Sequence, residues 1–323
     1  MKKIIYLLII LLLMSGCGKK EEISITYDEA YYQIASPHKD SVGSYSIRSY
    51  DKNEVDMMLM NLSKNYFKTN NSFYQQGQYL NTDDLKELIN LYNKTETITI
   101  DKIKIEPKYI ISIYEQNYLN YNGDLKGISL AVVVSNKQYY DDSYKIIDED
   151  IVINYAKEKA LELVKYLRNE KSVNTKIIVG IYLESNNTLK GAFKSIGEVK
   201  NDSIDFKDIN YNYQYLDSNY IMNNDTNTYN AILSIKQNLS NYNTLYLNPI
   251  GLYQDNKLVS VDLYLSKGYF KNNEILSIIG DIRNSLNSFS SNTKLNVYFK
   301  SNNNIKAYVT REDNEIKTYI MEE

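Results

Sequence analysis

Apolar residues recur at helical spacing in four stretches of the chain. The stretches 55–66 and 156–167 come first, and 232–239 and 275–289 follow. An apolar stripe stabilises a helix mainly when another element covers it. We therefore predict four helices that pack on sheets. The stripes consist of Val55, Met58, Leu59, Leu62 and Tyr66; Ala156, Ala160, Leu163, Val164 and Leu167; Ile232, Ile235 and Leu239; and Ile275, Ile278, Ile279, Ile282, Leu286 and Phe289.

Short apolar segments between the stripes predict β-hairpins. One hairpin spans 109–134 and turns at Asn122-Gly123, a dipeptide that suits a type I′ turn. Another spans 245–265 and turns at Asp255-Asn256. The run 177–183 is almost continuously apolar, which predicts a strand buried on both faces, whereas the alternation over 295–299 predicts one buried face.

The chain contains an internal repeat. YLESNNTLKGAF at 182–193 matches YFKSNNNIKAYV at 298–309, and each reads as a strand, a Ser-Asn-Asn turn and a second strand. A helix and a hairpin precede each copy. The predicted fold is therefore α+β: two tandem α-β-β-α-β-β repeats forming antiparallel sheets packed by helices. Repeat domain 1 covers 44–217 and repeat domain 2 covers 218–323.

Two insertions enlarge the first repeat. The stretch 73–108 contains a further helix, with Thr82 as its predicted N-cap before two aspartates. The stretch 138–151 is a polar excursion. Insertions of this kind usually form surface loops and often carry function.

The N-terminus has the pattern of an export signal. Lys2 and Lys3 precede an apolar run over 4–14, which is too short to span a membrane comfortably. The small residues Ser15 and Gly16 then precede Cys17, the one cysteine of the chain. We predict a lipoprotein signal peptide over 1–16, cleavage between Gly16 and Cys17, and lipidation of Cys17. The alternative is an ordinary signal peptide in which the cysteine is incidental.

Residues 17–43 read as a lipidated N-terminus and a polar tether, which places the protein at the extracytoplasmic face of the cell membrane. The net charge of −3 argues against a nucleic-acid partner, because nucleic acid requires a clustered basic surface. The 33 tyrosines indicate either a sugar-binding face or the codon bias of an AT-rich genome. The oligomeric state is left open.

The usual catalytic and metal-binding signatures are missing from the sequence. A histidine-based triad would have to recruit His38, the one histidine, which lies on the predicted tether. We therefore predict a protein that is not an enzyme and has neither cofactor nor metal. Paired carboxylates could still support a hydrolase, and the run Asp148-Glu149-Asp150 is the candidate. An acidic run before a helix more commonly caps that helix.

Several stretches resemble the CamS family of Gram-positive lipoproteins, the sex pheromone cAM373 precursor-like proteins. They are LMNLSKNYFKTNNSFYQQGQYLN at 59–81, YIISIYEQNYL at 109–119, KIIVGIYLES at 176–185 and GLYQDNKLVSVDLYL at 251–265. The resemblance implies that the tail of the signal peptide, ILLLMSG at 10–16, is the source of a short hydrophobic pheromone. This segment is more uniformly leucine-rich than the family pattern. The resemblance implies no established enzymatic activity for the mature domain.

Polar and aromatic side chains concentrate in two of these stretches. We hypothesise that they line a groove for a peptide or a glycan. The alternative is that the glutamines satisfy loop backbone groups while the tyrosines pack the sheet. The function thus predicted is a non-catalytic surface lipoprotein, with an envelope-binding module and a carboxylate-dependent hydrolase as alternatives. The candidate binding residues are Gln76, Gln78, Tyr79, Glu115, Gln116 and Tyr118.

Overall fold

The computed structural model describes residues 31–35, 42–186, 188–302, 304–312 and 315–321. The predicted signal peptide, its cleavage site at Gly16, the lipidation site Cys17 and His38 lie outside the described residues. Within them there are six α-helices: α1 (Lys52–Ser63), α2 (Thr82–Tyr92), α3 (Glu149–Glu170), α4 (Asn219–Asn224), α5 (Thr226–Leu239) and α6 (Asn272–Leu286).

The strands form two large sheets and two small hairpins, which confirms the α+β class. The first sheet has the order β1-β2-β5-β6-β9-β10-β11, and the second runs in chain order. The strands of the first half are β1 (Gln33–Ile34), β2 (Phe73–Gln76), β3 (Ile98–Ile100), β4 (Ile103–Ile105), β5 (Ile110–Leu119), β6 (Leu125–Val134), β7 (Lys137–Tyr140), β8 (Ser143–Ile146), β9 (Lys176–Leu183), β10 (Ala192–Lys200) and β11 (Ser203–Asp208). Those of the second half are β12 (Tyr211–Tyr215), β13 (Tyr246–Gln254), β14 (Lys257–Ser266), β15 (Lys294–Ser301), β16 (Asn304–Glu312) and β17 (Glu315–Ile320).

Both sheets are mixed, so the prediction of antiparallel sheets is wrong at specific pairs. The strands β6 and β9 are parallel, as are β14 and β15, and so is the short edge pair β1–β2. A crossover helix between two hairpins returns the chain in its original direction, which makes the facing inner strands parallel. Over four strands the two sheets share this antiparallel–parallel–antiparallel order.

Helices cover both faces of the first sheet. The helices α2 and α3 bury one face in an aliphatic cluster, and α1 covers the other face. Strand β9 is accordingly buried from Ile177 to Leu183, as its apolar run predicts. In the second sheet, α5 and α6 cover one face. There Leu295, Val297 and Phe299 are fully buried, as their alternation predicts.

The helix α1 also joins the two sheets. Its cluster includes residues of β12 and β13, on the face of the second sheet opposite α5 and α6. Beside them the buried carboxylate of Glu54 accepts a hydrogen bond from the Tyr213 hydroxyl and pairs with Lys190 Nζ at 2.7 Å. The chain passes between the sheets after Asp208 and joins the second sheet at β12, ahead of the domain boundary predicted at 217/218.

Two predicted local details need correction. The loop after β5 spans five residues, and only Gly123 in it has a positive φ, of 85°. A type I′ turn needs a positive φ at both central residues, so the turn at Asn122-Gly123 is not of that type. In contrast, Asp255 and Asn256 both have positive φ, as their two-residue turn requires.

The helix α2 is capped one residue earlier than predicted. Asn81 is the N-cap instead of Thr82. Its side-chain oxygen accepts the backbone N–H of Asp84 at 2.9 Å, and the Asp84 carboxylate accepts the backbone N–H of Asn81 at 2.9 Å. This reciprocal capping box satisfies two N–H groups at once, whereas a cap at Thr82 would place the apolar Leu85 at position N3.

Part of the predicted tether is folded onto the first sheet. Tyr32 is buried, and its hydroxyl donates to the Phe67 carbonyl at 2.5 Å. Strand β1 then pairs with β2. Residues 31–35 of the predicted tether therefore belong to the first sheet.

The tyrosines of the second sheet form a cross-strand ladder. Tyr264, Tyr298, Tyr308 and Tyr319 lie directly opposite one another on β14 to β17. The first two rings are stacked at 5.0 Å and 13°, and the last two at 6.2 Å and 22°. The stacked rings turn their faces to each other, so this ladder stabilises strand pairing.

Candidate functional site

A gap at one edge of β5 forms the candidate site. Strand β2 covers the C-terminal part of this edge, over residues 116–119. The segment that precedes α1 covers the N-terminal part of this edge. Ser46 bridges Ser112, and the Ile47 N–H donates to the Ile111 carbonyl at 3.1 Å. Neither partner covers Tyr114. The opening between them becomes a cleft against the first turns of α1.

The cleft has a volume of about 370 Å³ and a mixed aromatic and polar lining. This volume fits the lower range of small-molecule sites. The lining residues are Val42, Gly43, Ser44, Tyr45, Tyr50, Lys52, Asn53, Asp56, Gln76, Ser112, Ile113 and Tyr114.

Asp56 is the central polar group of the cleft. One of its oxygens, Oδ1, accepts hydrogen bonds from the Tyr74 hydroxyl at 3.0 Å, the Tyr114 hydroxyl at 2.8 Å and Gln116 Nε2 at 2.7 Å. Burial, assisted by the neighbouring Asp56 charge, raises the pKa of both phenols, so they remain protonated donors. The three donors fix the carboxylate in one orientation.

The second oxygen of Asp56 accepts no hydrogen bond from any residue that the structure describes. One helical turn earlier, Lys52 Nζ donates to Ser44 Oγ at 3.0 Å and lies 5.9 Å from the Tyr50 ring centre. The cleft therefore combines a held carboxylate, an ammonium group and aromatic walls. Such a combination can bind a small ligand that carries both charges.

Glu115 points to the opposite face of β5 and has a structural role. Its Oε1 accepts the backbone N–H groups of Gln78 at 2.8 Å and Tyr79 at 3.0 Å, and its Oε2 accepts that of Leu80 at 2.9 Å. Burial raises the pKa of Glu115 above its usual range, although these N–H groups oppose the rise. The carboxylate thus fastens the loop that leads into α2.

Two glycines allow the backbone to approach this closely. A Cβ on Gly77 would lie 2.5 Å from the Glu115 Cβ and 2.6 Å from its carbonyl oxygen. A Cβ on Gly43 would lie 2.0 Å from the Leu80 carbonyl oxygen. The Gly77 contact gives a physical reason for glycine within the stretch FYQQGQYL, because no other side chain fits against β5 there.

The six predicted binding residues do not line one groove. Gln76 is exposed and lines the cleft. Gln116 and Tyr118 are fully buried on the α1 face of β5, where the Tyr118 hydroxyl donates to Gln116 Oε1 at 2.9 Å.

The other three residues, Gln78, Tyr79 and Glu115, form the loop contact on the opposite face of β5. Side chains of a strand alternate between faces, so neighbouring positions in a sequence stretch cannot share one groove. The alternative stated from the sequence, in which the glutamines satisfy loop backbone groups and the tyrosines pack the sheet, describes the two tyrosines, whereas Gln116 bonds to Asp56 on α1.

The acidic run at 148–150 caps a helix. Asp148 is the N-cap of α3, and its side chain accepts the backbone N–H of Asp150 at 2.8 Å. Glu149 lies 3.4 Å from Lys194 Nζ. These contacts agree with the capping interpretation of the run.

The sequence analysis missed the residues that shape the cleft. Asp56 lies between Val55 and Met58 on an amphipathic helix, where a polar residue reads as part of the solvent face. Tyr74 and Tyr114 fall within the family-like stretches, but nothing in the sequence shows that they converge on one carboxylate. The available signal was a charged residue at the border of an apolar stripe.

The described part of the chain contains no cluster of three His, Cys, Asp or Glu side chains able to hold a metal ion. None of its helices combines the length and the apolar character needed to cross a membrane.

Comparison with known proteins identifies a family. The family model described as "CamS sex pheromone cAM373 precursor" matches residues 41–317. No curated protein matches the chain.

Two solved structures share the fold. A sex pheromone precursor from Lactobacillus salivarius subsp. salivarius UCC118 superimposes with a TM-score of 0.72 at 18% identity, covering 83% of this chain and 86% of that one. The C-terminal domain of the sex pheromone staph-cAM373 precursor from Staphylococcus aureus gives 0.71 at 20% identity, covering 85% and 98%. At these identities the likeness shows the fold alone.

Proposed function

The chain belongs to the family of CamS sex pheromone cAM373 precursors, and on that premise we propose that it is an exported precursor lipoprotein. In this proposal the chain is cleaved between Gly16 and Cys17, and the new N-terminal cysteine carries the lipid anchor. The released signal segment is the source of a short hydrophobic peptide. The folded body remains at the outer face of the membrane as a non-catalytic domain.

The observation that carries this proposal is the family match together with the stretch LMSGC at 13–17. An apolar run followed by small residues and a lone cysteine has the order that lipoprotein processing requires. Two acyl chains on one cysteine also give stable anchoring, which a single chain does not.

Mass spectrometry of the peptide fraction of a culture supernatant tests the peptide source. The proposal expects a discrete fragment of residues 4–16 that ends at or near Gly16. The matched control is Cys17→Ala, which removes the thiol to be lipidated and is expected to abolish the fragment. If the fragment is absent while lipidated protein accumulates in the membrane, the peptide source is refuted and the anchor is retained.

A second candidate function is binding of a short zwitterionic peptide in the Asp56 cleft. The specific observation in its favour is the Asp56 carboxylate, held by three donors on one oxygen, with the Lys52 ammonium group one helical turn away. A peptide ammonium group would pair with the second Asp56 oxygen, and its carboxylate with Lys52.

Calorimetric titration with trialanine tests this binding. We expect trialanine to bind and its N-acetylated amide to bind at least roughly tenfold more weakly, because that probe has neither terminal charge. Lys52→Met is the first variant to measure, since this exposed side chain can be replaced without unfolding the protein. Equal affinity of the two probes, or of the variant and the parent, contradicts the assignment.

A further inference from the structure

An exposed aromatic and apolar surface lies at the end of the first sheet where the N-terminal segment enters. Tyr31 is 84% exposed, Ile34 is 80% exposed, and Tyr121, at the tip of the β5–β6 hairpin, is 71% exposed. Large exposed apolar groups that cluster are unusual on a soluble domain and mark contact surfaces. We call this set, with the lysines described next, the entry surface.

Contacts show that these groups belong to one end of the sheet. The Tyr121 hydroxyl donates to the Asn70 carbonyl at 2.5 Å, and its ring meets Phe73 edge-on at 5.4 Å. Phe73 opens strand β2, which pairs with β1, and Tyr31 lies two residues before β1. The hairpin tip and the chain entry therefore lie beside the same strand end.

Three lysines belong to the entry surface. Lys64 Nζ lies 5.8 Å from the centre of the Tyr31 ring, and Lys68 is exposed just after α1. Among the described residues, Lys126 Nζ donates to neutral oxygens: the Asn71 carbonyl, Asn71 Oδ1 and Ser72 Oγ, at 3.1, 2.7 and 3.0 Å. The carboxylate on the same hairpin tip is Asp124, which accepts from Asn120 Nδ2.

The length of the preceding chain points to the occupant. Thirteen residues, 18–30, lie between Cys17 and Tyr31, and a fully extended chain spans at most about 3.3–3.6 Å per residue. The entry surface can therefore lie no more than about 50 Å from the lipid on Cys17. The end of the body that is tied to the membrane is the same end that exposes tyrosines, an isoleucine and lysines.

We propose that the entry surface docks on the membrane that holds the lipid anchor, a proposal that rests on the proposed lipidation of Cys17. Tyrosine rings suit the boundary between headgroups and acyl chains, since one end is apolar and the other polar. The lysines face the anionic headgroups, and the anchor raises the local concentration of membrane at this surface. Docking orients the Asp56 cleft and the second sheet relative to the bilayer.

The chain has no tryptophan, so a single introduced tryptophan reports on its own site. Tyr121→Trp places the probe on the entry surface. Tyr246→Trp is the matched control, because Tyr246 is 73% exposed at the start of β13 in the second sheet. Both variants are made in the full lipidated chain and inserted into vesicles of phosphatidylglycerol and phosphatidylcholine. Flotation of the vesicles and tryptophan quenching by brominated lipid are then measured on the same samples.

Docking predicts a blue-shifted emission and strong quenching for the probe at 121, with water-like emission and no quenching for the probe at 246. Co-flotation with water-like emission from both probes overturns docking and leaves the anchor intact. Failure to co-float overturns the anchor, and docking with it. Lys68→Glu in the Tyr121→Trp background is expected to lower the ratio of docked to undocked protein at least about fivefold on anionic vesicles. Lys86→Glu, exposed on α2, is the charge-matched control and should leave that ratio unchanged.

Discussion

Removing the Glu115 carboxylate should destabilise the fold far more than removing an exposed acid. In Glu115→Ala, the backbone N–H groups of residues 78–80 lose their acceptor. A hydrogen bond to a charged group contributes about 1.5–3 kcal/mol net, and a buried unsatisfied group costs about 1–3 kcal/mol. The N–H of Leu80 is buried, whereas water can reach the other two.

We therefore expect Glu115→Ala to lower the free energy of unfolding by about 3 kcal/mol. Glu115→Gln should cost less, about 1–2 kcal/mol, because the amide keeps one acceptor oxygen but turns its NH₂ group towards an N–H donor. The control is Glu96→Ala, an exposed acid in the loop after α2, for which a change within about 0.5 kcal/mol is expected.

Urea unfolding followed by circular dichroism measures all three variants, with the m-value checked for constancy. Hydrogen exchange of the Gln78, Tyr79 and Leu80 amides gives a local reading, and it should accelerate in Glu115→Ala ahead of the rest of β5. If Glu115→Ala and Glu96→Ala change the free energy of unfolding by the same amount, or if the three amides exchange at the parent rate, the carboxylate does not fasten the loop.

Three further predictions concern the same framework. Gly77→Ala should lower the thermal midpoint by several degrees, because its Cβ would overlap β5 at 2.5 Å, whereas Gly268→Ala, with open space around it, should not shift the midpoint. Burial alone would raise the pKa of Asp84, but hydrogen bonds from Lys171 and its other donors outweigh this and lower it. That stabilisation is present above the ordinary aspartate pKa of about 3.9 and is lost as the pH falls through the lowered value. The difference in free energy of unfolding between the parent and Lys171→Met should therefore close in acid. A difference that stays constant with pH contradicts this prediction. Glu54→Ala should destabilise the contact between the sheets by about 2–4 kcal/mol, and an unchanged urea midpoint would show that the ion pair does not couple them.

Periodicity was sufficient to predict the four helices α1, α3, α5 and α6 and the hairpins β5–β6 and β13–β14, but not the short helix α4 or the hairpins β3–β4 and β7–β8. The apolar spacing at 275–289 predicts a helix with one buried face, and the apolar run at 177–183 predicts a buried strand. Both predictions depend only on the spacing of apolar residues along the chain. The parallel pairing of β6 with β9 follows from the order hairpin–helix–hairpin, because the crossover helix returns the chain in its original direction, and not from the spacing of apolar residues within either strand.

The site was less predictable than the fold. Glu115 and Gln116 are neighbours in the sequence, yet their side chains lie on opposite faces of β5. Glu115 accepts hydrogen bonds from the loop before α2, and Gln116 donates to Asp56. The cleft itself arises where β2 and the segment at Ser46 leave part of the β5 edge uncovered. Such a gap depends on tertiary pairing and leaves no local pattern in the sequence.

The most direct test of the central claim is the mass of the N-terminal peptide of the mature protein, isolated from the membrane fraction of expressing cells. The account predicts that this peptide begins at Cys17 and carries the added mass of a diacylglyceryl group. An N-terminus at any other residue, or an unmodified Cys17 in a protein recovered from the medium, would contradict the account.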